Sequence, residues 1–489
     1  MRTAGKKKVP RSAPSTISAR VKDGINLEAQ ADGNVLARFD HHSVALGKFT
    51  AGAMNRAQQL RTGLPLRSFA SGSALDKEID QLVRRLGQRG LLEYHLGHAR
   101  EGKDKVVIEP QLADYWPRTP DIANSETIVL SRFAYLRRRG EEMVLESPRA
   151  GALFRICDPA IAAMLAMLSR PQKISRLRRQ VGFPGIELLA LLLDSQILFR
   201  IDDAKGNGLR PSEGDSSLVL WDFHDLLFHT HSTEGRHANP LGGLYPYADL
   251  IAPPPAVRPQ WPGKKIDLRK VFVTSAETVS PFAKVLGDRH STRDFDDFRP
   301  ITLTELSRYL DTAARVRSKW KSRLDLGDVD AEVAYAPRPY PSGGSAYELE
   351  LYLTVANCEG LARGFYHYDA DGHALAPIST PPEMLQAMLA GAAFAMDAPA
   401  VPQILITVAA RFDRVSWKYS ALAYSLILRD VGVLLQTLYL AATDMGLGGC
   451  AIGTSNIDLF EKMTGIQFHI EGPVGQFALG RASKEDGSS

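Results

Sequence analysis

The longest apolar run of this chain, Tyr424 to Leu447, constrains the fold more than any other segment. Arg429, Asp430 and Asp444 interrupt it. No charge-free apolar stretch reaches the roughly 18 residues that a helix needs to cross a bilayer, so the run reads as the core helix of a globular domain. The basic start of the chain is not followed by the apolar segment of a secretory signal, and a cytoplasmic protein without a membrane partner is expected. With 489 residues the chain has room for several domains, and 44% apolar and 23% charged residues are ordinary for a globular protein. The net charge of +4 is too small to argue for nucleic acid. Much of it sits in Arg2, Lys6, Lys7, Lys8, Arg11 and Arg20, within a Ser- and Pro-bearing stretch expected to be a disordered basic tail over residues 1–22. Cys157, Cys358 and Cys450 are far apart and lack CxxC spacing, which argues against structural zinc and against a disulfide framework.

Composition breaks divide the chain. Polar, glycine-bearing stretches at Asp202–Gly208 and Pro211–Gly214 mark one boundary, and Pro253-Pro254-Pro255 with Pro259 and Pro262 marks another. Residues 23–210 are expected to be winged-helix-like. Leu75, Ile79, Leu82 and Leu86 lie at helical spacing before Gly90-Leu91-Leu92. Asp158-Pro159 caps a second helix, a short basic segment spans Ile174–Val181, and Ile197–Ile201 reads as a strand. Such a unit can bind DNA, here through Arg176, Arg178 and Arg179, can bind peptides, or can be purely structural. Residues 217–262 read as a connecting segment. Residues 263–489 read as an α+β domain. It has a capping box at Thr302–Glu305 and an alternating strand from Tyr347 to Ala356. A hairpin turn follows at Asp371-Gly372, a central strand at Gln403–Val408 and a last strand at Gln476–Gly480. His224, His229, His231 and His237 cluster without carboxylate or thiolate at ligand spacing, so no metal is expected.

Several motifs carry chemistry. Arg289-His290-Ser291-Thr292-Arg293 offers two forked donors and a hydroxyl, a set suited to phosphate, although a solvated loop is the plain alternative. Pro341-Ser342-Gly343-Gly344-Ser345 allows close backbone approach to a flat ligand. Gly446 to Gly453 follows the long helix, where its glycines end the helix and expose backbone N–H groups. Gly480-Arg481 closes the last strand. Trp417-Lys418-Tyr419 opens the apolar run. An ammonium beside a phenol favours phenolate, and the pair could abstract a proton.

As an ordered set, these motifs resemble the FMN-binding elements of the nitroreductase fold. With Gly364-Phe365-Tyr366-His367-Tyr368, they resemble the SagB/ThcOx group of azoline-oxidising dehydrogenases from ribosomal peptide biosynthesis. Trp221 to His229 is similar to a segment upstream of the catalytic domain in that group, and the resemblance covers residues 217–483. It implies a dimeric flavoprotein with FMN at the subunit interface. Arg289, His290, Ser291 and Arg293 would hold the phosphate and ribityl chain, helped by Arg481. Pro341, Ser342 and Gly343 would approach the isoalloxazine, and the backbone at Ile452-Gly453 would donate toward it. Tyr419 would be the base, Lys418 its pKa modulator, and Tyr424 a substrate contact. The implied reaction removes two electrons and two protons from a thiazoline or oxazoline, made by a YcaO-type cyclodehydratase partner, to give the thiazole or oxazole. Leu422, Ser425 and Val433 stand where the group often carries arginines and a histidine, which leaves peptide recognition open. The first half would dock the precursor peptide or the partner enzymes. Rival readings are an NAD(P)H-dependent nitro or quinone reductase, a non-catalytic scaffold for precursor peptide, and a DNA-binding regulator.

Overall fold

The computed structural model describes residues 15–39, 42–98, 103–201, 216–237, 242–245, 247–258, 260, 262–268, 280–325 and 330–483. The boundary expected at 202–214 lies outside them. The chain forms two compact units, one of Met1–Ala238 with Ser416–Leu422, the other of Asn239–Val415 with Ala423–Ser489.

The first unit is built on a seven-stranded antiparallel sheet. Its strands lie in the order Leu64–Pro65, Ser15–Val21, Leu92–His98, Asp104–Pro110, Ala152–Ile156, Glu142–Glu146 and Tyr135–Arg139. This corrects the expected tail. Ser15–Val21 pairs along its whole length with Leu92–His98, and Ala19 and Val21 are buried, because their alternation gives the strand an apolar face. The lysine triplet lies outside the described residues. Farther on, helices Pro159–Met167, Ile174–Leu177 and Ile186–Asp194 precede strand Leu198–Arg200. That strand joins Thr127–Leu130 and Gln172–Lys173 in a three-stranded sheet. The helix expected after Asp158-Pro159 and the strand expected at Ile197–Ile201 both form, and the Asp158 side chain caps that helix by accepting from Ala160 N–H. The helix Ile174–Leu177, however, is a single turn, too short to lay Arg176, Arg178 and Arg179 along a DNA groove. Of the upstream histidines, buried His229 stacks on Trp221, and His237 bonds the His231 carbonyl.

In the second unit we number the elements in chain order: α1 (Pro281–Asp288), α2 (Leu303–Ala314), β1 (Leu349–Val355), β2 (Gly364–Asp369), β3 (Ala374–Ile378), α3 (Pro382–Met396), β4 (Ile404–Arg411), α4 (Ala423–Asp444), β5 (Gly448–Ile452), α5 (Ile457–Thr464) and β6 (Glu471–Gly480). The strands make one antiparallel sheet ordered β3-β2-β1-β4-β6-β5. One face packs on α3 and α5 through Tyr352, Phe365, Met388, Leu389, Leu405 and Phe460. Against the other lies α4, whose Val431 and Tyr439 meet Gly475 and Phe477 of β6. Both faces are covered, so β1 is buried almost throughout and not on one face only, as its alternation suggested. The capping box on α2 forms as expected: Thr302 Oγ1 accepts from Glu305 N–H, and Glu305 accepts from Thr302 N–H. Among the described helices, α4 alone is long and apolar enough to cross a bilayer. It instead buries Ile427, Val431, Leu434 and Leu438 inside this unit.

Candidate functional site

The helix α4 starts at Ala423, six residues after Trp417, and not at the Lys-Tyr pair. Residues 417–422 form an irregular turn in which Ala421 takes a left-handed φ of 61°. From that start, α4 anchors two separate loops.

The first loop is 289–293. It lies along the free edge of β5, where Thr292 N–H donates to the Gly449 carbonyl at 2.9 Å. The phenol oxygen of Tyr439, on α4, is 2.8 Å from Ser291 Oγ and accepts the Ala451 N–H at 2.8 Å. The Arg289 guanidinium sits 5.2 Å from the centre of the same ring. Tyr439 thus ties the loop to the sheet edge. The glycines of β5 have a different purpose from the one expected. A Cβ on Gly448 would come within 2.7 Å of Thr292, and one on Gly449 within 2.3 Å of the Phe477 ring. Their bareness lets the loop and β6 approach, and Gly446 alone serves as the left-handed helix stop, with φ 67°.

Arg289 is half-buried, and His290 and Arg293 are exposed. Neither arginine is paired with a carboxylate among the described residues. Two uncompensated guanidinium groups flanking a fixed hydroxyl form a donor set that fits a phosphate ester. Arg481 differs. Its guanidinium forks onto both Glu305 oxygens, at 2.8 and 2.9 Å, and its Nε donates to the Arg299 carbonyl. That pairing balances its charge within this unit. Replacing Tyr439 by Phe removes both phenol bonds. The expected cost is about 1–2 kcal/mol of stability, and phosphate-ester affinity should fall several-fold, checked by urea unfolding and by titration with the ligand.

The second loop is Pro341–Ser345. Asp430, on the buried stripe of α4, accepts Gly343 N–H at 2.8 Å and Ser342 O–H at 3.0 Å. Ser342 Oγ also accepts Tyr347 N–H at 2.9 Å and lies 3.2 Å from Glu348 Oε2. Burial, then the nearby Asp430 charge, push the Glu348 carboxyl up to about 7. Neither acid was singled out from the sequence. Asp430 had a signal, since it falls with Ile427, Leu434 and Leu438 on one helical face. Glu348 had none, because its alternation matched a solvent-facing position.

Asp430 and Tyr439 are nine residues apart. At about 100° per residue they point to opposite sides of α4, so one copy of this unit holds its two loops back to back.

The other expected site residues are placed as follows. Ile452 ends β5 with its side chain in the core, and Gly453 beyond it is exposed, with open space where a Cβ would stand. The Lys418 ammonium lies 5.2 Å from the centre of the Tyr419 ring, with Lys418 exposed and Tyr419 half-buried. Tyr424 is 3% exposed and packs on Phe412 at the foot of α4.

The nitroreductase family model matches residues 286–481. A nitroreductase-named protein of Methanocaldococcus jannaschii, MJ1384, is 30% identical over 169 residues, which are 35% of this chain and 76% of that protein. The chain belongs to the nitroreductase family. As such it is an oxidoreductase. The cyanobactin oxidase ThcOx model matches residues 128–238. The microcin B17-processing protein McbC of Escherichia coli is 30% identical over 115 residues, 22% of this chain and 42% of McbC. Both matches are to proteins of the kind that the ordered motifs resemble. A solved E. coli microcin synthetase McbBCD complex with truncated pro-MccB17 bound aligns with 55% of this chain and 97% of the matched chain, at 18% identity and a TM-score of 0.39.

Proposed function

We propose that the chain is an FMN-dependent azoline dehydrogenase that works as a homodimer beside a cyclodehydratase on a ribosomally made precursor peptide. The observation that carries the cofactor is the Arg289–Ser291–Arg293 donor set, uncompensated and fixed along the edge of β5 in a nitroreductase-family chain. The ThcOx and McbC matches support the substrate class.

Bound FMN supplies a two-electron acceptor for the hydride that leaves ring Cβ. The chain's own residues do the rest. Arg289, Ser291 and Arg293 fix the phosphate. Ser342 and Gly343, locked by Asp430, offer a narrow backbone surface to the flat ring. Tyr419 takes the Cα proton, and Lys418 stabilises its phenolate. The back-to-back loops support a homodimer in which the first loop of one copy stands beside the second loop of the other. Apolar side chains left bare in one copy support this: Phe282 is 63% and Leu286 44% exposed on α1, and Val433 is exposed on α4. The first unit, within which the ThcOx model matches, is read as the docking module for precursor or partner enzymes. Cytoplasmic location follows from that partnership.

The test is mass spectrometry of a precursor peptide incubated with its cyclodehydratase, with and without this protein. Loss of two hydrogens per azoline ring is the expected result, from a purified protein that is yellow with FMN. A colourless protein and unchanged azolines would overturn the proposal. Steady NADPH consumption with nitroaromatics and no change in the peptide would replace it with a general reductase.

A further inference from the structure

We infer that Glu348 and Asp430 share a single proton, and that this proton pins the Ser342–Gly343 turn to α4, so that alkaline loss of it loosens the turn. The consequence for flavin rests on the function proposed above; the proton sharing does not.

Hydrogen-bond valence around Ser342 requires the shared proton. Ser342 has one hydroxyl hydrogen but lies within bonding distance of two carboxyls, Asp430 at 3.0 Å and Glu348 at 3.2 Å. It already accepts the Tyr347 N–H. If both acids were ionised, one would face Ser342 with no hydrogen between them. A proton on Glu348 resolves every contact. Glu348 then donates to Ser342, Ser342 donates to Asp430, and Asp430 also takes the Gly343 N–H at 2.8 Å. Glu348 is fully buried and Asp430 is 7% exposed. Glu348 Oε1 is buried without a hydrogen-bond partner, a position far less costly for a neutral carboxyl than for a carboxylate.

The charged and titratable groups around the pair support the neutral form. From α4 comes Asp430 itself, a like charge. From the segment before the turn comes the Tyr340 phenol, which burial holds at about 12 and Arg338 contacts. From β4, Arg411 gives only its backbone N–H, to the Glu348 carbonyl. Arg338 is committed to Glu350. Among the described residues no Lys, Arg or His forms an ion pair with either acid. The group that keeps the proton is the one raised to about 7 from 4.5. Between those values the folded protein holds a proton that the unfolded chain has lost. Stability therefore falls as pH rises across that window and is flat above it.

The experiment follows FMN release by flavin fluorescence from about pH 5.5 to about pH 9, for the wild type and for Glu348→Gln, which keeps a donor and cannot ionise. Wild-type affinity is expected to fall about tenfold through the titration, while E348Q holds its acid-side affinity throughout. Identical profiles for the two proteins would overturn the inference. If neither binds FMN at any pH, the flavin reading fails and the proton sharing is decided by two flavin-free measurements. One is the pH dependence of the urea midpoint, which E348Q should flatten. The other is the infrared band of a protonated buried carboxyl in the wild type, which should be present below the titration and absent above it, and which needs no variant to fold. A band that is missing on the acid side overturns the inference outright.

Discussion

On the proposed function, Tyr419→Phe protein is expected to keep FMN and to lose ring oxidation by about 10²- to 10⁴-fold in rate, the range set by removing a positioned general base. The substitution deletes one oxygen and leaves the ring that the Lys418 ammonium rests against, so the local fold has no reason to change. Because the proton leaves carbon while the hydride leaves its neighbour, loss of the base should act on the chemical step and spare peptide binding. The measurement is azole formation per unit time at saturating peptide, with flavin absorbance as the control for cofactor content. A variant that oxidises at wild-type rate would remove Tyr419 from the chemistry. Lys418→Ala should fall between the wild type and Tyr419→Phe in rate, because the ammonium beside the Tyr419 ring is lost.

The largest expected loss of stability comes from Phe477→Ala. Phe477 is fully buried, meets Tyr439 edge-on with ring centres 5.0 Å apart, and fills the space that Gly449 leaves bare. Truncation costs the second unit about 3–5 kcal/mol through lost burial and the cavity left behind, read as a lowered urea midpoint. It should also free Tyr439 and with it Ser291, so FMN affinity should drop more than in Tyr439→Phe. Equal losses of affinity in the two variants would show that Tyr439 keeps its place without Phe477.

Local signals carried much of the second unit. The capping box, the Asp371-Gly372 turn and the central strand expected at Gln403–Val408 depend on neighbours close in sequence and form near where they were expected, whereas the long helix expected to open at Trp417 starts only at Ala423. The seven-stranded sheet of the first unit was not legible. Its pairings join Ser15–Val21 to Leu92–His98 and Asp104–Pro110 to Ala152–Ile156, and strand register between distant segments leaves no local pattern beyond alternation. The site divides the same way. Arg289, Ser291 and Arg293 stand together because they are adjacent in the chain. Tyr439 and Asp430 were hidden as ordinary members of an apolar helix, since their partners lie 148 and 87 to 88 positions away. The pairing of Arg481 with Glu305 was hidden in the same way, since 176 positions separate them.

The two anchor points on α4 also make the spacing between them a conserved quantity in the physical sense. One residue added or removed between Asp430 and Tyr439 would turn the far end of the helix by about 100°. One loop would then lose its tether, whatever amino acid was involved. The exposed positions Ser425, Arg429 and Val433 can drift in identity at little cost inside one copy. The phase of the helix cannot, so the geometry of the site is stored as a count of residues as much as in any one of them.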